Sequence, residues 1–525
     1  MPSRKERLEM PLLRPNWPCL ALAVAAALLI LPLWLADAPA MPDYPARLAG
    51  FYLIHGGAQT SPLSGFYSIA WAPLPNLAGE IAVPLLAHLM PLETAARLFL
   101  SVALAMWVAG PALIHHALYG RIGLAPLAAA FFAYNVNFLW GFFNYCFAIG
   151  LCLIVFAGWI ASKDWARTPR LALFAAAAIV LYFCHILGAA LFLMLVATYE
   201  AGRRPIDWRH LFLDVSVISV PVGILYLFKP GSMVDGGVEF DLIDTFVHRI
   251  ESIVQWHFGT PAYLLLGVLA LLFVVGLWRG KIMLHPQMRL TLIATALLAL
   301  LAPETAMGGW GLHLRFPAVA ATLLFAASEI SLSRRLAVGA AATILATLAG
   351  MSAVLADQWR AFDGQIAEFR ASLRELPRGS HLMAAVDTRD DGRVPNQLYW
   401  HFTEFALMDR SIFTSLMFAT RGQHIIRLAP AVDGFAATAA RGGSPPKLNL
   451  LDSLATGHVR NPKIRHELRY LLRFPCHYDE VLLIHANGKS RAVPGILSLR
   501  HAGSFFSLYD VRPPAGCSVI SATRP

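Results

Sequence analysis

A carboxylate set between two prolines is the first group here with evident chemical potential. In AMPDYPARL, Asp43 lies between Pro42 and Pro45, whose fixed φ and missing N–H groups make a stiff, non-helical turn. Its stretch, Asp37 to Glu93, follows the first long apolar run and holds few other acids, namely Asp37 and Glu80 ahead of Glu93. A carboxylate fixed where a membrane meets water is costly and by default a functional candidate, against the plain alternative that it solvates a loop. Cations stand elsewhere between apolar runs: Arg47 and His55 in the same stretch, Lys229 in LYLFKPG, and His313 and Arg315 after Glu304 in PETAMGGWGLHLRFP. Tyr134, Asn135, Asn137 and Asn144 surround Trp140 in AYNVNFLWGFFNY, and His185 interrupts LYFCHILG.

Taken singly, each has a bland explanation, since amides and aromatics belt the membrane interface and a Lys or Arg at a helix end reaches for water. Taken together, cations and donors on the side of Asp43 suit a phosphate, which Arg binds with a fork of donors and Lys with a point charge. Hydrolysis of a glycoside normally needs two carboxylates, because the departing alkoxide must be protonated. A sugar leaving from a lipid phosphate departs as a stable anion. One carboxylate then suffices as base on the acceptor hydroxyl, while Lys229, His313, Arg315 or a metal stabilises the departing charge.

The elements that must position these groups are membrane helices. The chain is 57% hydrophobic and 14% charged, with a mean hydropathy of +0.57, whereas soluble domains are near a quarter charged. The net charge of +10 lies in short clusters between apolar runs with no aromatic interleaving, which fits lipid headgroups and topology and not nucleic acid. Cys19, Cys146, Cys152 and Cys184 sit in or beside apolar runs as small hydrophobes, and no CxxC pair or zinc spacing occurs.

Apolar runs place spans at 19–36, 97–118, 124–136, 143–161, 171–184, 187–201, 210–228, 260–278, 289–302, 315–330 and 336–356, roughly eleven helices against the ~20 residues a crossing needs. The basic start (Arg4, Lys5, Arg7, Arg14) before 19–36, with Ala36-Asp37-Ala38 after it, has the form of a secretory signal; the spans that follow favour a retained first helix. Segment 76–90 carries Asn76, Glu80, Pro84 and His88 and reads as an interfacial helix. With it left out and the N-terminus cytoplasmic, inside loops hold Arg121; Lys163, Arg167 and Arg170; Arg203, Arg204 and Arg209; Arg279, Lys281 and Arg289; Arg334 and Arg335. Outside segments up to 356 hold Arg47, Arg97, Lys229, Arg249 and Arg315, and counting 76–90 as a span inverts the bias. The expected topology puts Asp43, the loops 230–258 and 303–314 and everything after 357 on the outside, the periplasm of a bacterial inner membrane.

Two domains follow: a transmembrane module, 1–356, with its first outer loop at 37–96, and a soluble α/β domain, 357–525, of roughly 150 residues. Trp359, Phe362, Ile366, Phe369, Leu373 and Leu376 form one helical face, and HLMAAVD, EVLLIHA and SFFSLYDV read as strands. Cys476 and Cys517 are candidates for a disulfide on an oxidising side. GRVPNQLYWHFTEFALMDRS has no metal spacing and reads as packing and surface.

The early outer Asp (PDYPAR), the interfacial PLPNLAGEIAVPLLAHLM, the helix opening ETAARLFLSVALAMW and the late LRFP before a span together resemble the GT-C superfamily of integral-membrane glycosyltransferases. That superfamily includes protein mannosyltransferases, oligosaccharyltransferase subunits and the aminoarabinose transferases of lipid A. The likeness covers residue 1 to about 357 and implies an inverting transfer from a polyprenyl-phosphate sugar donor to a lipid, glycan or protein acceptor at the outer face. It implies Asp43 as general base or metal ligand, so a divalent metal ion is a possible cofactor. Many members carry an acidic pair at that site, whereas here Tyr44 follows Asp43, and the acids of 230–258 (Asp235, Glu239, Asp241, Asp244) form no clear second motif. A transporter or flippase of a lipid-linked or small polar substrate is the alternative; it calls for repeat symmetry and broken helices near the midplane, and the sequence holds no repeat. A scaffold acting through 357–525 would not need so many spans.

Overall fold

Among the described residues, seven helices are long and apolar enough to cross a membrane: Trp17–Leu35, Leu92–Tyr119, Phe143–Ala161, Arg167–Cys184, Trp208–Phe228, Thr260–Trp278 and Arg334–Glu375. Three shorter apolar ones, Ile186–Ala201, Pro286–Leu301 and Leu312–Ala326, pack among them. The computed structural model describes residues 17–203, 205–231, 237–253, 258–306, 309–387, 397–437, 443–485, 493–515 and 517, with the side chains of 244 and 259 left aside. The basic residues before Trp17, together with Arg204 and Asp235, lie outside the described residues.

The expected span at 124–136 is instead a broken segment: Ala125–Ala129, a 3-10 turn Ala130–Phe132, then Val136–Trp140. The break has a local cause. Asn135 takes extended dihedrals and its side chain accepts from the N–H groups of Asn137 and Phe138, restarting the helix as an N-cap. The expected 97–118 begins earlier, at Leu92 behind Pro91, and 171–184 begins at Arg167, bringing it to 18 residues. Segment 76–90 contains a nine-residue helix, Ala78–Leu86, which at ~1.5 Å per residue is too short to cross.

Apolar burial gives little net drive where the alternative solvent is lipid, so close packing must hold these helices together. Leu92–Tyr119 and Phe143–Ala161 show how. A Cβ on Gly150 would lie 2.7 Å from the Met106 Cβ, a contact only glycine permits. At one end of the bundle, Arg121 and His115 converge on Glu329 at 2.8 and 3.3 Å, and the Tyr119 hydroxyl donates to the Ala327 carbonyl. Asp43, Trp140, His185 and Arg315 gather at the other end.

The helix Arg334–Ser372 has 39 residues and runs unbroken through position 356, where the sequence placed a domain boundary. Its first part exposes Leu336 and Val338, and its second buries Trp359, Phe362, Ile366 and Phe369. Phe369 meets Phe402 and Phe506 of the C-terminal domain at 5.4 and 5.2 Å between ring centres. The same helix pins the first loop. Asp363 accepts from the backbone N–H groups of Asp37 and Ala38 at 2.9 and 3.0 Å, and Arg360 donates to the Leu35 carbonyl.

The C-terminal domain is built on a five-stranded mixed sheet of β1 (His381–Asp387), β2 (Phe413–Thr414), β3 (Glu480–His485), β4 (Leu497–Ala502) and β5 (Phe506–Val511). The spatial order is β4-β5-β3-β1-β2; β1 runs parallel to β2 and β3, and the other pairs are antiparallel. The central β3 is buried along its length, which explains its continuous apolar run. Cys476 and Cys517 are joined as a disulfide with Cα atoms 5.3 Å apart. The domain is laced to the first loop by a second ladder, in which Tyr67–Ile69 pairs antiparallel with Ile426–Leu428. The first loop and the C-terminal domain thus share one sheet.

Candidate active site

Asp43 occupies the N-cap position of the helix Tyr44–Ile54, with Pro45 in the first turn. An Asp there ordinarily spends its carboxylate on the N2 or N3 amide. Here no side-chain cap bond forms, so the carboxylate is left for other partners. The backbone is fixed from a different element: the Asp43 N–H donates to the Trp140 carbonyl at 3.0 Å. Gly141 makes that approach possible, because it has φ of +95° and a Cβ there would sit 3.2 Å from the Asp43 Cβ.

Four groups converge on the Asp43 carboxylate, one of them the Trp140 side chain through a hydrogen bond. Arg47, one turn along the same helix, and Arg315 both act on it electrostatically, and His401 Nε2 lies 4.0 Å from Oδ1. Asp43 is 8% exposed, and desolvation outweighs both guanidiniums, pushing its pKa up to about 7. A base poised near neutrality combines ionisation with proton affinity. Burial, reinforced by Arg47, holds the imidazoles of His401 and His424 neutral, with pKa values brought down to about 3.

The cations are themselves positioned. The Arg315 guanidinium lies over the rings of Phe142 and Tyr145 at 4.7 and 5.2 Å, donates to the Trp310 carbonyl at 3.2 Å, and sits 3.4 Å from His185 Nε2. The Tyr145 hydroxyl donates to the Arg315 carbonyl, and the Asn137 amide to the Leu314 carbonyl at 3.0 Å. Arg47 reaches Glu80 at 3.4 Å and lies 4.8 Å over the Phe418 ring. Burial pushes the Glu80 pKa up, opposed by Arg47 and by Asn144, whose amide donates to Glu80 at 2.6 Å. Trp310 and Trp140 meet at 5.4 Å between ring centres beside this cluster.

The remaining sequence candidates lie elsewhere. His55 is exposed at the opposite end of the 11-residue helix that Asp43 begins, roughly 18 Å away at 1.5 Å per residue. Its ring is 4.6 Å from that of His88. Lys229 caps the helix Trp208–Phe228, its Nζ 5.2 Å over Tyr226, and among the described residues no contact joins it to Asp43. His313 is buried between Trp310 and His248, and burial, then Arg249 and His248, bring its pKa down to about 4. Of Lys229, His313 and Arg315, Arg315 is the one that acts on Asp43 electrostatically. Glu239 pairs with Thr305 and Asp241 with its own loop backbone, so neither forms a second acidic centre with Asp43.

Residues that sequence reasoning missed come from the C-terminal domain. His401, in the stretch read as packing and surface, faces Asp43, and Phe418 carries Arg47 on one side while stacking with His424 at 5.6 Å. Among the described residues no group of three or more His, Cys, Asp or Glu could hold a metal ion. The donor set around Asp43 is two guanidiniums and an imidazole, without a second carboxylate. That set does not fit a divalent cation.

No family model and no curated protein sequence matches the chain. Among solved structures it is similar to ArnT from Cupriavidus metallidurans, described as bound to undecaprenyl phosphate, at 13% identity and a TM-score of 0.49, covering 95% of this chain and 98% of that one. It is also similar to the arabinofuranosyltransferase AftD from Mycobacteria at 16% identity and a TM-score of 0.46, over 94% of this chain. That match spans 40% of the AftD chain.

Proposed function

We propose that this chain is a GT-C-like membrane glycosyltransferase that moves a sugar from a polyprenyl-phosphate donor to an outer-leaflet or periplasmic acceptor. The observation that carries the reading is an uncapped, buried carboxylate, Asp43, flanked by the guanidiniums of Arg47 and Arg315. In the reaction, Asp43 takes the proton of the acceptor hydroxyl as its oxygen attacks the anomeric carbon. The bond from that carbon to the phosphate oxygen breaks, its electron pair leaves with the phosphate, and Arg315 and Arg47 stabilise the anion. A single displacement by a lone base inverts the anomeric centre. Asp43 acts as base and not as metal ligand, because the cations beside it already supply the charge a metal would bring.

In this reading the chain crosses a bacterial inner membrane eleven times, the broken segment Ala125–Trp140 providing one short crossing. The N-terminus is cytoplasmic, and the domain from 357 onward covers the site from the periplasm. The charge bias of the loops supports that orientation. The acceptor hydroxyl belongs to a lipid, a glycan or a protein.

The test incubates purified protein with a panel of polyprenyl-phosphate sugars, with and without divalent metal and chelator, and follows sugar release or transfer. Turnover that survives chelation and is abolished by Asp43→Asn is expected. Full turnover in a folded Asp43→Asn protein would overturn the reading, and substrate movement without bond cleavage would replace it with transport.

A further inference from the structure

A cavity of about 180 Å³ opens on the side of the first loop served by Tyr44, lined by Asp37, Tyr44, Glu93, Asp363 and Arg370 among others. One water needs roughly 10–15 Å³ of such space, so the cavity takes a group of several heavy atoms. Its charge is lopsided. It presents three carboxylates, whereas its one guanidinium, Arg370, is already held by Asp409 in two bonds of 2.7 and 2.6 Å. Asp363 is occupied with the backbone amides of Asp37 and Ala38. Among the described residues the Glu93 carboxylate has no hydrogen bond or ion pair within 4 Å, though it acts electrostatically on Arg370 and Tyr44. An independent sign of a missing ligand is Tyr44, a residue that lines the cavity and whose buried hydroxyl has no hydrogen-bond partner. Buried hydroxyls are nearly always satisfied.

The rim carries the opposite sign. Arg360 donates to the Leu35 carbonyl and Arg97 to the Ala36 carbonyl, directly before the cavity residues Asp37 and Ala38. Beside them Leu31, Trp34 and Leu35 are exposed apolar side chains at the end of a spanning helix. Apolar wall, cationic rim and anionic cavity follow one another as acyl chain, phosphate and ammonium do in an aminophospholipid.

We infer that this cavity binds the headgroup of an ethanolamine-type phospholipid, its primary ammonium directed to Glu93 and the Tyr44 hydroxyl and its phosphate to Arg360 and Arg97. A primary ammonium satisfies both free acceptors with N–H donors; a choline headgroup has none to give, and an anionic headgroup meets the carboxylates. Tyr44 directly follows Asp43 in the chain, but the inference does not depend on the role proposed for Asp43.

The experiment reconstitutes the full chain in nanodiscs of phosphatidylcholine doped with ethanolamine, glycerol or extra choline phospholipid, and counts retained lipids by native mass spectrometry. Ethanolamine lipid is expected to be retained at least tenfold over the other two. Glu93→Gln, isosteric and on a half-exposed helix start, is expected to abolish the preference while remaining monodisperse, and Tyr44→Phe to reduce it. Equal retention of ethanolamine and choline lipids overturns the inference, as does an unchanged preference in Glu93→Gln. Displacement by free phosphoethanolamine at millimolar concentration would assign the cavity to a soluble amine and overturn the lipid assignment.

Discussion

His401 Nε2 stands 4.0 Å from Asp43 Oδ1, across the seam between the C-terminal domain and the first loop. Neither residue is at the surface, at 4% and 8% exposed, so the C-terminal domain closes the floor on which the carboxylate sits. The separation is beyond a hydrogen bond. It is within reach of tightening when substrate arrives.

In the proposed reaction that relationship gives His401 a positioning role. His401→Gln is expected to lower kcat by about tenfold or more while leaving KM for the donor within about twofold, against the 10²–10⁴-fold loss expected for Asp43→Asn. A merely structural role for His401 would instead appear as a lower Tm with kcat intact in the surviving folded fraction. Steady-state kinetics on the two variants distinguish these outcomes.

The pH profile carries a signed prediction. As the proposed base Asp43 must be ionised, so the rate is expected to rise with pH through an acid limb centred near 7, the value set by burial against Arg47 and Arg315. Both guanidiniums lower that pKa, so Arg47→Gln moves the limb to higher pH. Linkage gives the stability sign. The folded pKa exceeds the unfolded one, so Asp43 favours the fold most below pH ~4 and that contribution is lost as pH rises through about 7. Asp43→Asn is therefore expected to raise Tm at pH 8 and to leave it nearly unchanged at pH 4, measured by thermal shift in detergent.

Arg315 is held by stacking on two rings and by its fork of donors. Arg315→Ala is expected to cost roughly 10²-fold or more in kcat, as for the loss of a charge-stabilising donor, and Arg315→Lys to recover only part of it, since an ammonium cannot reproduce the fork. Equal activity of the Lys variant and the parent enzyme would remove Arg315 from the leaving-group role.

Gly141 is the structural counterpart. With φ of +95° and the Asp43 Cβ 3.2 Å from where its own Cβ would be, Gly141→Ala is strained and crowded together. A loss of about 1–3 kcal/mol in stability is expected, with a disproportionate fall in kcat because the displaced element is Asp43 itself. Denaturation midpoints and kcat, measured side by side, check it.

How far the sequence reveals this site follows the range of the interactions. Asp43 was legible because two prolines advertise a rigid turn within three residues, and Arg315 because it closes a loop before a span. The membrane helices were legible from apolar length. The break at Asn135 was not, since its cause is one side chain capping two amides inside a run that stays apolar throughout. His401 was invisible for another reason. It comes from the far end of the chain through a ladder between Tyr67–Ile69 and Ile426–Leu428, and two three-residue strands leave no periodicity to detect. The Arg47–Glu80 and Glu80–Asn144 bonds likewise join residues whose proximity only the folded first loop creates.

The helix Arg334–Ser372, 39 residues without interruption, is a rod of about 58 Å at 1.5 Å per residue. One half exposes apolar side chains such as Leu336 and Val338, and the other bears Asp363 and the buried face packed against the C-terminal domain. A rod cannot tilt at one end alone. A thinner or thicker bilayer that changes its inclination therefore also moves Asp363, and with it the backbone of Asp37 and Ala38 that this carboxylate holds.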